Sequence, residues 1–402
     1  MKRRPFLAAV ALGWAAGCSR PRLTLPGPSR ESTETAWPAY AFDAANTATT
    51  AARGPRAPVR ERWQSHSVRG VATTPAVVGG TVYFGAADRS IHAVDRVTGE
   101  PVWEVATDGS VVSSPAVVDG VVYAGSTDEH LYAVDSATGD RRWRIETSSR
   151  LVTAVTVADG VVLCAGRGND VSVDYGAVYA RDAATGDERW TYRTRSWVTN
   201  TPAVADDRCF VTDRDGRVHA VGLDDGQRRW ESRGDLRVSQ ASPPVVVEGT
   251  PSVVLRGGGR VHAVVIDTGE VQWTTALDGP ALSGTLAVRD GTAFVASEPA
   301  HPCPDCRRRT LLVTALDVET GTVEWQVRRL DSSPRAGVSA DRDTLYVVDD
   351  VGVLALATED GHERWRSSLP AASVQPPSVV DDALFVGCDD GRVRALETGS
   401  AG

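Results

Sequence analysis

Two cysteines and a histidine form the densest group of potential ligands in the sequence. Cys303 and Cys306 are separated by two residues, and His301 stands shortly before them inside a polar insertion. If the chain is exported, we expect a disulfide that closes this loop, because disulfides persist outside the cytoplasm. Zinc is an alternative, although these residues supply only part of a structural tetrahedron. A thioredoxin-like redox site is disfavoured, since that motif belongs in a βαβ setting.

Cys18 is a candidate for lipid attachment. It follows the small residues Ala15, Ala16 and Gly17, which in turn follow a basic start and an uncharged apolar stretch. Residues 1–17 therefore resemble a twin-arginine export signal that ends in a lipobox. Residues 18–36, rich in Pro, Ser and Thr, would form a flexible tether. We expect a lipid-anchored protein on the cell membrane, outside the cytoplasm. The alternative is a plain cleaved export signal with an incidental cysteine at position 18.

A repeated pair of residues indicates the elements that position these groups. Seven times a glycine is followed four residues later by a tryptophan, and an eighth tryptophan lies one period upstream. Such periods of about 40 to 50 residues are typical of propellers. Each unit contains short runs rich in β-branched residues between turn signals, which predicts four strands. The tryptophans would fill the wedge between neighbouring sheets, and they are Trp63, Trp103, Trp143, Trp190, Trp230, Trp273, Trp325 and Trp365.

The number of units predicts how the fold closes. After Trp365 the chain contains three further strands but no fourth, and residues 59–63 supply a spare strand at the other end. Pairing of these two ends would leave no open sheet edge. We therefore predict an all-β, eight-bladed β-propeller of four-stranded antiparallel blades over residues 37–397, followed by a short tail at 398–402.

Other cysteines and histidines fall on strands of different blades. Cys164, Cys209 and Cys388 fall at second-strand positions of different blades, where a free thiol behaves as a small buried apolar group. One third-strand position is shared by three histidines and two tyrosines, which cannot converge and are interpreted as packing residues: His92, His219, His262, Tyr132 and Tyr179.

The repeats resemble those of pyrroloquinoline quinone (PQQ) dehydrogenases and their non-enzymatic relatives. The resemblance covers roughly residues 37–397, and the opening Trp37-Pro38-Ala39-Tyr40 is similar to the lead-in of such chains. It implies either a scaffold, as in an eight-bladed lipoprotein of bacterial outer-membrane assembly, or an enzyme that binds PQQ with calcium. The enzymes' pattern includes calcium-binding carboxylates, a catalytic aspartate and, in many members, adjacent cysteines. The sequence has no Cys-Cys pair, and only Trp197 and Asn200 suggest a cofactor site.

Two features locate the expected binding face. Insertions at residues 166–176 and 297–309 both follow second strands, so they decorate the same face of the disc. On that face the aligned first strands predict a small polar ring around the axis, without a carboxylate or histidine for acid–base chemistry: Thr73, Ser113, Thr153, Asn200, Ser242, Gly284, Ala336 and Gln375.

Net charge limits the class of partner. The formal net charge of −9 argues against nucleic acid or an anionic membrane surface as the main partner. We expect a monomeric scaffold that binds an unidentified protein on the face with the insertions, with no catalytic residue and no cofactor. The alternative is a PQQ-dependent oxidoreductase that binds PQQ with calcium.

Overall fold

A computed structural model describes residues 36–66, 68–71, 73–168, 175–198, 200–232, 242–247, 250, 252–279, 285–299, 309–371, 373 and 375–399. The described chain is built from β-strands, turns and loops. Within it, no helix has the length and apolar character needed to cross a bilayer. Cys18, His301, Cys303 and Cys306 lie outside the described residues.

Eight antiparallel sheets form the ring, which confirms the predicted propeller. Strand β1 comprises Val59–Gln64. Blade 1 contains β2 Ala76–Val78, β3 Thr81–Gly85, β4 Ser90–Asp95 and β5 Pro101–Ala106, and blade 2 contains β6 Ala116–Val118, β7 Val121–Gly125, β8 His130–Asp135 and β9 Arg141–Glu146. Blade 3 contains β10 Ser149–Leu151, β11 Thr156–Ala158, β12 Val161–Gly168, β13 Gly176–Asp182 and β14 Glu188–Thr194. Blade 4 contains β15 Ala203–Ala205, β16 Arg208–Thr212, β17 Val218–Gly222 and β18 Arg228–Glu231. Blade 5 contains β19 Val245–Val246, β20 Ser252–Gly257, β21 Arg260–Val265 and β22 Val271–Ala276, and blade 6 contains β23 Ala287–Arg289, β24 Thr292–Ser297, β25 Thr310–Asp317 and β26 Val323–Leu330. Blade 7 contains β27 Pro334–Ala340, β28 Thr344–Asp349, β29 Gly352–Ala357 and β30 Glu363–Ser368. Blade 8 contains β31 Ser378–Val380, β32 Ala383–Gly387 and β33 Val393–Thr398.

The innermost strands are shorter than the sequence predicts. In blade 1 the run of β-branched residues that predicts the first strand begins at Thr73, whereas β2 begins at Ala76. Pro75 explains the difference, because proline has no backbone N–H with which to continue the ladder. Blade 3 differs further, since β10 and β11 both pair with the long strand β12. The insertion at 166–176 thus begins and ends as an extension of the β12–β13 hairpin.

Each repeat tryptophan joins its blade to the next one. In every blade the tryptophan lies opposite an alanine of the neighbouring strand, as Trp103 lies opposite Ala93. The indole N–H donates to a carbonyl outside its own blade, over distances of 2.6 to 3.1 Å. A glycine of the next blade's turn packs against the ring: a Cβ added to Gly99 would lie 2.6 Å from the Trp63 ring. These contacts confirm that the tryptophans fill the wedges.

Strand β1 closes the ring as predicted. It pairs with β33, and Trp63 lies opposite Ala395. Blade 8 therefore takes its outer strand from the start of the propeller, and no hairpin joins its third and fourth strands. Trp365 of blade 7 accordingly donates its indole N–H to the Pro55 carbonyl, 2.9 Å away, instead of to such a hairpin.

Residues 36–58, the lead-in segment, pass along the inner strands of the ring and end beside its outer strands, where the Pro55 carbonyl accepts from Trp365. The backbone of the segment bonds to seven of the eight blades. It meets inner strands through Trp37 with Val77, Pro38 with Val117, Ala44 with Val204, Ala45 with Val246, Thr47 with Val288 and Ala48 with Ala340, and the turn after β31 through Arg53 with Asp382. Inner strands have no further strand on the axial side, so the lead-in segment satisfies their backbone groups. Most of these contacts precede the turns between first and second strands, on the face opposite the insertions.

Candidate functional site

The axial ring positions are occupied by side chains that serve their own blades. Thr73 Oγ1 donates to the Gly85 carbonyl over 3.1 Å and accepts from the Gly85 amide over 3.2 Å. Thr153 bonds in the same way to Ala165, at 3.0 and 3.1 Å. Ser113 accepts from the Gly125 amide at 3.3 Å. These hydroxyls clamp the start of each inner strand to the second strand.

Asn200 and Ser242 have the same role. Asn200 Nδ2 donates to Thr212 Oγ1 over 2.7 Å, and Ser242 Oγ accepts from the Arg256 amide over 3.0 Å. Both residues are buried. Gly284 and the side chain of Ala336 lie outside the described structure, and Gln375 is half-buried. The described ring hydroxyls are therefore engaged inside their blades and do not form a row of free groups around a mouth.

Buried carboxylates also have internal partners. Asp341 accepts hydrogen bonds from the Gly54 amide and the Tyr346 hydroxyl, both at 2.7 Å. Asp213 accepts from His219, and Asp349 is paired with an arginine. Calcium needs about six to eight oxygen ligands, usually with several carboxylates. Among the described residues, these carboxylates do not gather at the axial ring, so the arrangement does not fit a calcium ion there.

Arg256 is a buried cation that sequence reasoning missed. It lies on β20 next to the axial ring, and Nη1 donates to the Ala296 carbonyl of blade 6 over 3.0 Å. Its Nε and Nη2 have no hydrogen-bond partner in the described structure. Burial lowers the pKa of this guanidinium to about 10. The group would suit a carboxylate of a quinone cofactor, whereas no set of metal ligands accompanies it in the described chain.

A second cluster lies on the face with the insertions, around the end of blade 3. The Arg214 guanidinium lies 4.8 Å from the Trp197 ring centroid, and Arg193 lies 5.0 Å from that of Tyr175. Gly176 brings the pairs together, because a Cβ there would meet the Val198 amide at 2.5 Å. We call Tyr175, Arg193, Trp197 and Arg214 the blade 3 surface.

The blade 3 surface is accessible and mixed in character. Arg193 and Arg214 are exposed, and the two aromatic rings are half-buried. Aromatic and arginine side chains are enriched at the energetic centres of protein interfaces. Sequence reasoning identified Trp197 but paired it with Asn200, which the structure places in a clamp inside blade 4. Arg214 was missed because it reaches Trp197 from the following blade's loop.

The remaining cysteines and histidines are distributed as predicted. Cys164, Cys209 and Cys388 are buried and free, and burial raises the pKa of Cys164 to about 12. The three histidines lie in separate blades: His219 contacts Asp213 at 3.1 Å, His262 contacts Thr274 at 2.9 Å and His92 contacts Asp88 at 2.9 Å. None of these thiols is set up as a nucleophile, because the thiolate is strongly disfavoured by burial.

A cavity of about 250 Å³ lies where the lead-in segment passes blade 3. Tyr40, Tyr123, Val155 and Val157 line it. In the described chain, no backbone hydrogen bond joins the lead-in segment to blade 3, in contrast to the other seven blades. The cavity thus lies at the blade to which the lead-in segment makes no backbone hydrogen bond in the described chain.

Comparison with known proteins places the repeats in a family. The family model of the outer membrane protein assembly factor BamB matches residues 57–171, 153–300 and 309–401. Among curated proteins, none matches this sequence.

Solved structures of several functional classes share the fold. BamB from Moraxella catarrhalis has a TM-score of 0.64 and 18% identity, and the match covers 86% of this chain and 99% of that one. Quinohemoprotein alcohol dehydrogenase from Comamonas testosteroni has a TM-score of 0.75 and 16% identity, with 93% and 83% covered. The computationally designed protein Ika8 has a TM-score of 0.70 and 16% identity, with 84% and 99% covered. At these identities the likeness establishes the fold alone.

Proposed function

Because the chain belongs to the family of the outer membrane protein assembly factor BamB, we propose that it is a non-catalytic scaffold that binds a protein partner through the blade 3 surface. The observation that carries this proposal is the hydrogen bonding of the axial ring. The described hydroxyl and amide groups of the ring already form hydrogen bonds within single blades. An axial catalytic site would need polar groups that converge on a substrate.

The blade 3 surface has the features of a protein-binding site. Two arginines lie over two aromatic rings, so their guanidinium groups are oriented before a partner arrives. Ordered side chains lose less conformational freedom on association than mobile ones. The partner would carry carboxylates for Arg193 and Arg214 and an apolar group for the Trp197 ring. The proposed complex contains one copy of this chain.

Site-specific cross-linking tests this surface. A photoreactive residue at Tyr175 should give a discrete adduct in the native membrane, and Trp197→Ala should abolish it. Val97 is a matched control, since it is 52% exposed in a turn on the opposite face. A photoreactive residue at Val97 should give no such adduct. Equal adducts from both positions, or an adduct unaffected by Trp197→Ala, would contradict a partner site on blade 3.

A quinone-dependent dehydrogenase is the second candidate. It is favoured by the alcohol dehydrogenase of the same fold and by the unpartnered nitrogens of buried Arg256. It requires a metal site that the described axial residues do not supply. The two candidates therefore differ in a measurable property, which is the response to added PQQ and calcium.

The proposed scaffold is anchored to the outside of the cell membrane through lipid on Cys18. This proposal rests on the export signal and the small residues before Cys18. Cys18→Ser should move the protein from the membrane fraction to the medium, while Cys164→Ser should not. A Cys18→Ser variant that stays in the membrane after a carbonate wash would exclude this anchor.

A further inference from the structure

Blade 1 contains a cluster of potential metal ligands that does not belong to the blade 3 surface. Asp88, His92 and Glu104 each place one ligand atom within 4.8 Å of the others. Asp88 follows β3, His92 lies on β4, and Glu104 lies directly opposite His92 on β5. The cluster thus joins a loop and the two outer strands of the blade.

Neighbouring groups hold these ligands in place. The His92 ring stacks on Phe84 with centroids 5.1 Å apart and an interplanar angle of 17°. Asp88 Oδ1 accepts from the Ser90 amide at 3.1 Å, and the Ser90 hydroxyl donates to Glu104 at 2.7 Å. The imidazole is almost fully buried and both carboxylates are reachable from solvent. Fixed ligands with an accessible side are what a metal site needs.

At the equivalent position in blade 2, an arginine side chain supplies a positive charge. There Tyr132 replaces His92 and Arg144 replaces Glu104, in the same cross-strand register. The Arg144 guanidinium lies 5.5 Å from the Tyr132 ring centroid and pairs with Asp108 at 2.7 Å. Blade 2 therefore balances its acidic groups internally.

Blades 4 and 7 also supply arginines. In blade 4 the carboxylate of Glu231 pairs with Arg217 at 3.3 Å and with Arg228 at 2.6 Å. In blade 7 Arg366 pairs with Asp349 at 2.7 Å. In the described chain, no arginine or lysine forms an ion pair with Asp88 or Glu104 of blade 1. Two carboxylates and an imidazole thus face one another there without a cation.

We propose that Asp88, His92 and Glu104 bind a divalent first-row transition ion. One imidazole nitrogen and two carboxylate oxygens suit Zn²⁺, which binds both ligand types at about 2.0 to 2.2 Å. Two such bonds at a tetrahedral angle place their ligand atoms about 3.3 Å apart. His92 Nε2 and Asp88 Oδ2 now lie 2.9 Å apart at a hydrogen-bond distance, so the two side chains would separate slightly to take up the ion. Water completes the coordination on the exposed side.

Calorimetric titration with Zn²⁺ tests the site. The experiment uses the full chain with His301→Ala, Cys303→Ser and Cys306→Ser, so that the other candidate ligands cannot contribute. We expect one equivalent to bind. Glu104→Arg and His92→Tyr, which install the blade 2 residues, should each weaken binding at least about tenfold.

Blade 4 supplies the matched control, because Glu231 lies opposite a histidine in the same register. Glu231→Gln should leave the affinity for Zn²⁺ unchanged. Absence of binding by the parent chain would overturn the proposal. So would binding that survives both Glu104→Arg and His92→Tyr, or binding that Glu231→Gln removes. Circular dichroism of each variant checks that the propeller is folded.

Discussion

At the scale of single residues, one tryptophan and one glycine define seven of the eight junctions between blades. The indole of Trp63 lies against Gly99 of blade 1 and donates to the Arg96 carbonyl at 2.9 Å. Gly99 has a φ of 76°, which side-chain-bearing residues rarely adopt. The pair recurs because the turn needs a positive φ and the ring needs the space that a Cβ would occupy.

Gly99→Ala should therefore destabilise the protein by more than backbone strain alone, which costs about 1 to 2 kcal/mol. Gly79→Ala is the matched control, since Gly79 has a φ of 58° and nothing within 4 Å of an added Cβ. Chemical denaturation should give a larger loss of unfolding free energy for Gly99→Ala. Equal losses would show that the contact with Trp63 is unimportant.

Asp135 makes a turn of blade 2 sensitive to acid. Its carboxylate accepts from Arg142 at 2.8 Å and from the Ala137 and Thr138 amides at 3.0 and 3.1 Å. These bonds, that of Arg142 first, lower the pKa of Asp135 to about 2. The stabilisation is therefore complete above the ordinary pKa of about 3.9 and is lost as pH falls toward 2.

Asp135→Asn should lower the melting temperature at pH 6 and have progressively less effect between about pH 4 and pH 2. Glu100→Gln, in the equivalent kind of turn, is the control and should have little effect at either pH. Thermal melts across this range supply the measurement. An Asp135→Asn effect that is unchanged at pH 2 would contradict the role of the ionised carboxylate.

At the scale of elements, the lead-in segment ties the blades to one another. Asn46 is buried within it, and its Nδ2 lies 3.2 to 3.3 Å from the carbonyls of Thr201, Pro202 and Pro244. One amide thus serves both blade 4 and the start of blade 5. Few other side chains of the segment reach so many backbone acceptors.

Asn46→Ala should cost about 1 to 3 kcal/mol, because it leaves buried carbonyls without a donor. Asn46→Asp has nearly the same volume but presents an oxygen to these carbonyls, so it should be at least as destabilising. Denaturant titrations of both variants provide the comparison. A tolerated Asn46→Asp would mean that volume, and not hydrogen bonding, matters at this position.

Sequence reasoning succeeded where the pattern is periodic and failed where it is not. The tryptophans predict blade number, strand order and closure by β1, because every unit repeats the same contact. The path of the lead-in segment could not be predicted, since it pairs through main-chain atoms and has no strand periodicity. The blade 1 cluster was missed for a related reason. His92 shares its position with other packing residues, and only the fold brings Asp88 and Glu104 beside it.

At the scale of the whole molecule, the ring depends on strand β1. Its pairing with β33 covers the edge of that strand and completes blade 8 as a four-stranded sheet. A chain that begins at residue 36 should be monomeric and fully stable, and one that begins at 59 should lose the lead-in contacts but keep the closed ring. A chain that begins at 65 should associate through the exposed edge of β33.

Light scattering and thermal melting distinguish these three chains. Trp63→Ala, which keeps β1 but removes its large buried side chain, should cost about 3 to 5 kcal/mol. A chain that begins at residue 65 and remains monomeric, with an unchanged melting temperature, would contradict closure by β1.

The response to PQQ and calcium tests the scaffold most directly. The purified chain is mixed with both, and its melting temperature and the dye-linked oxidation of alcohols and sugars are measured. With the axial hydroxyls bonded inside their blades, we expect no turnover and no rise in melting temperature. A ligand at a hundred times its dissociation constant would stabilise the fold by about 2.7 kcal/mol, which a thermal melt detects. A raised melting temperature together with substrate-dependent dye reduction would contradict the scaffold and identify a dehydrogenase.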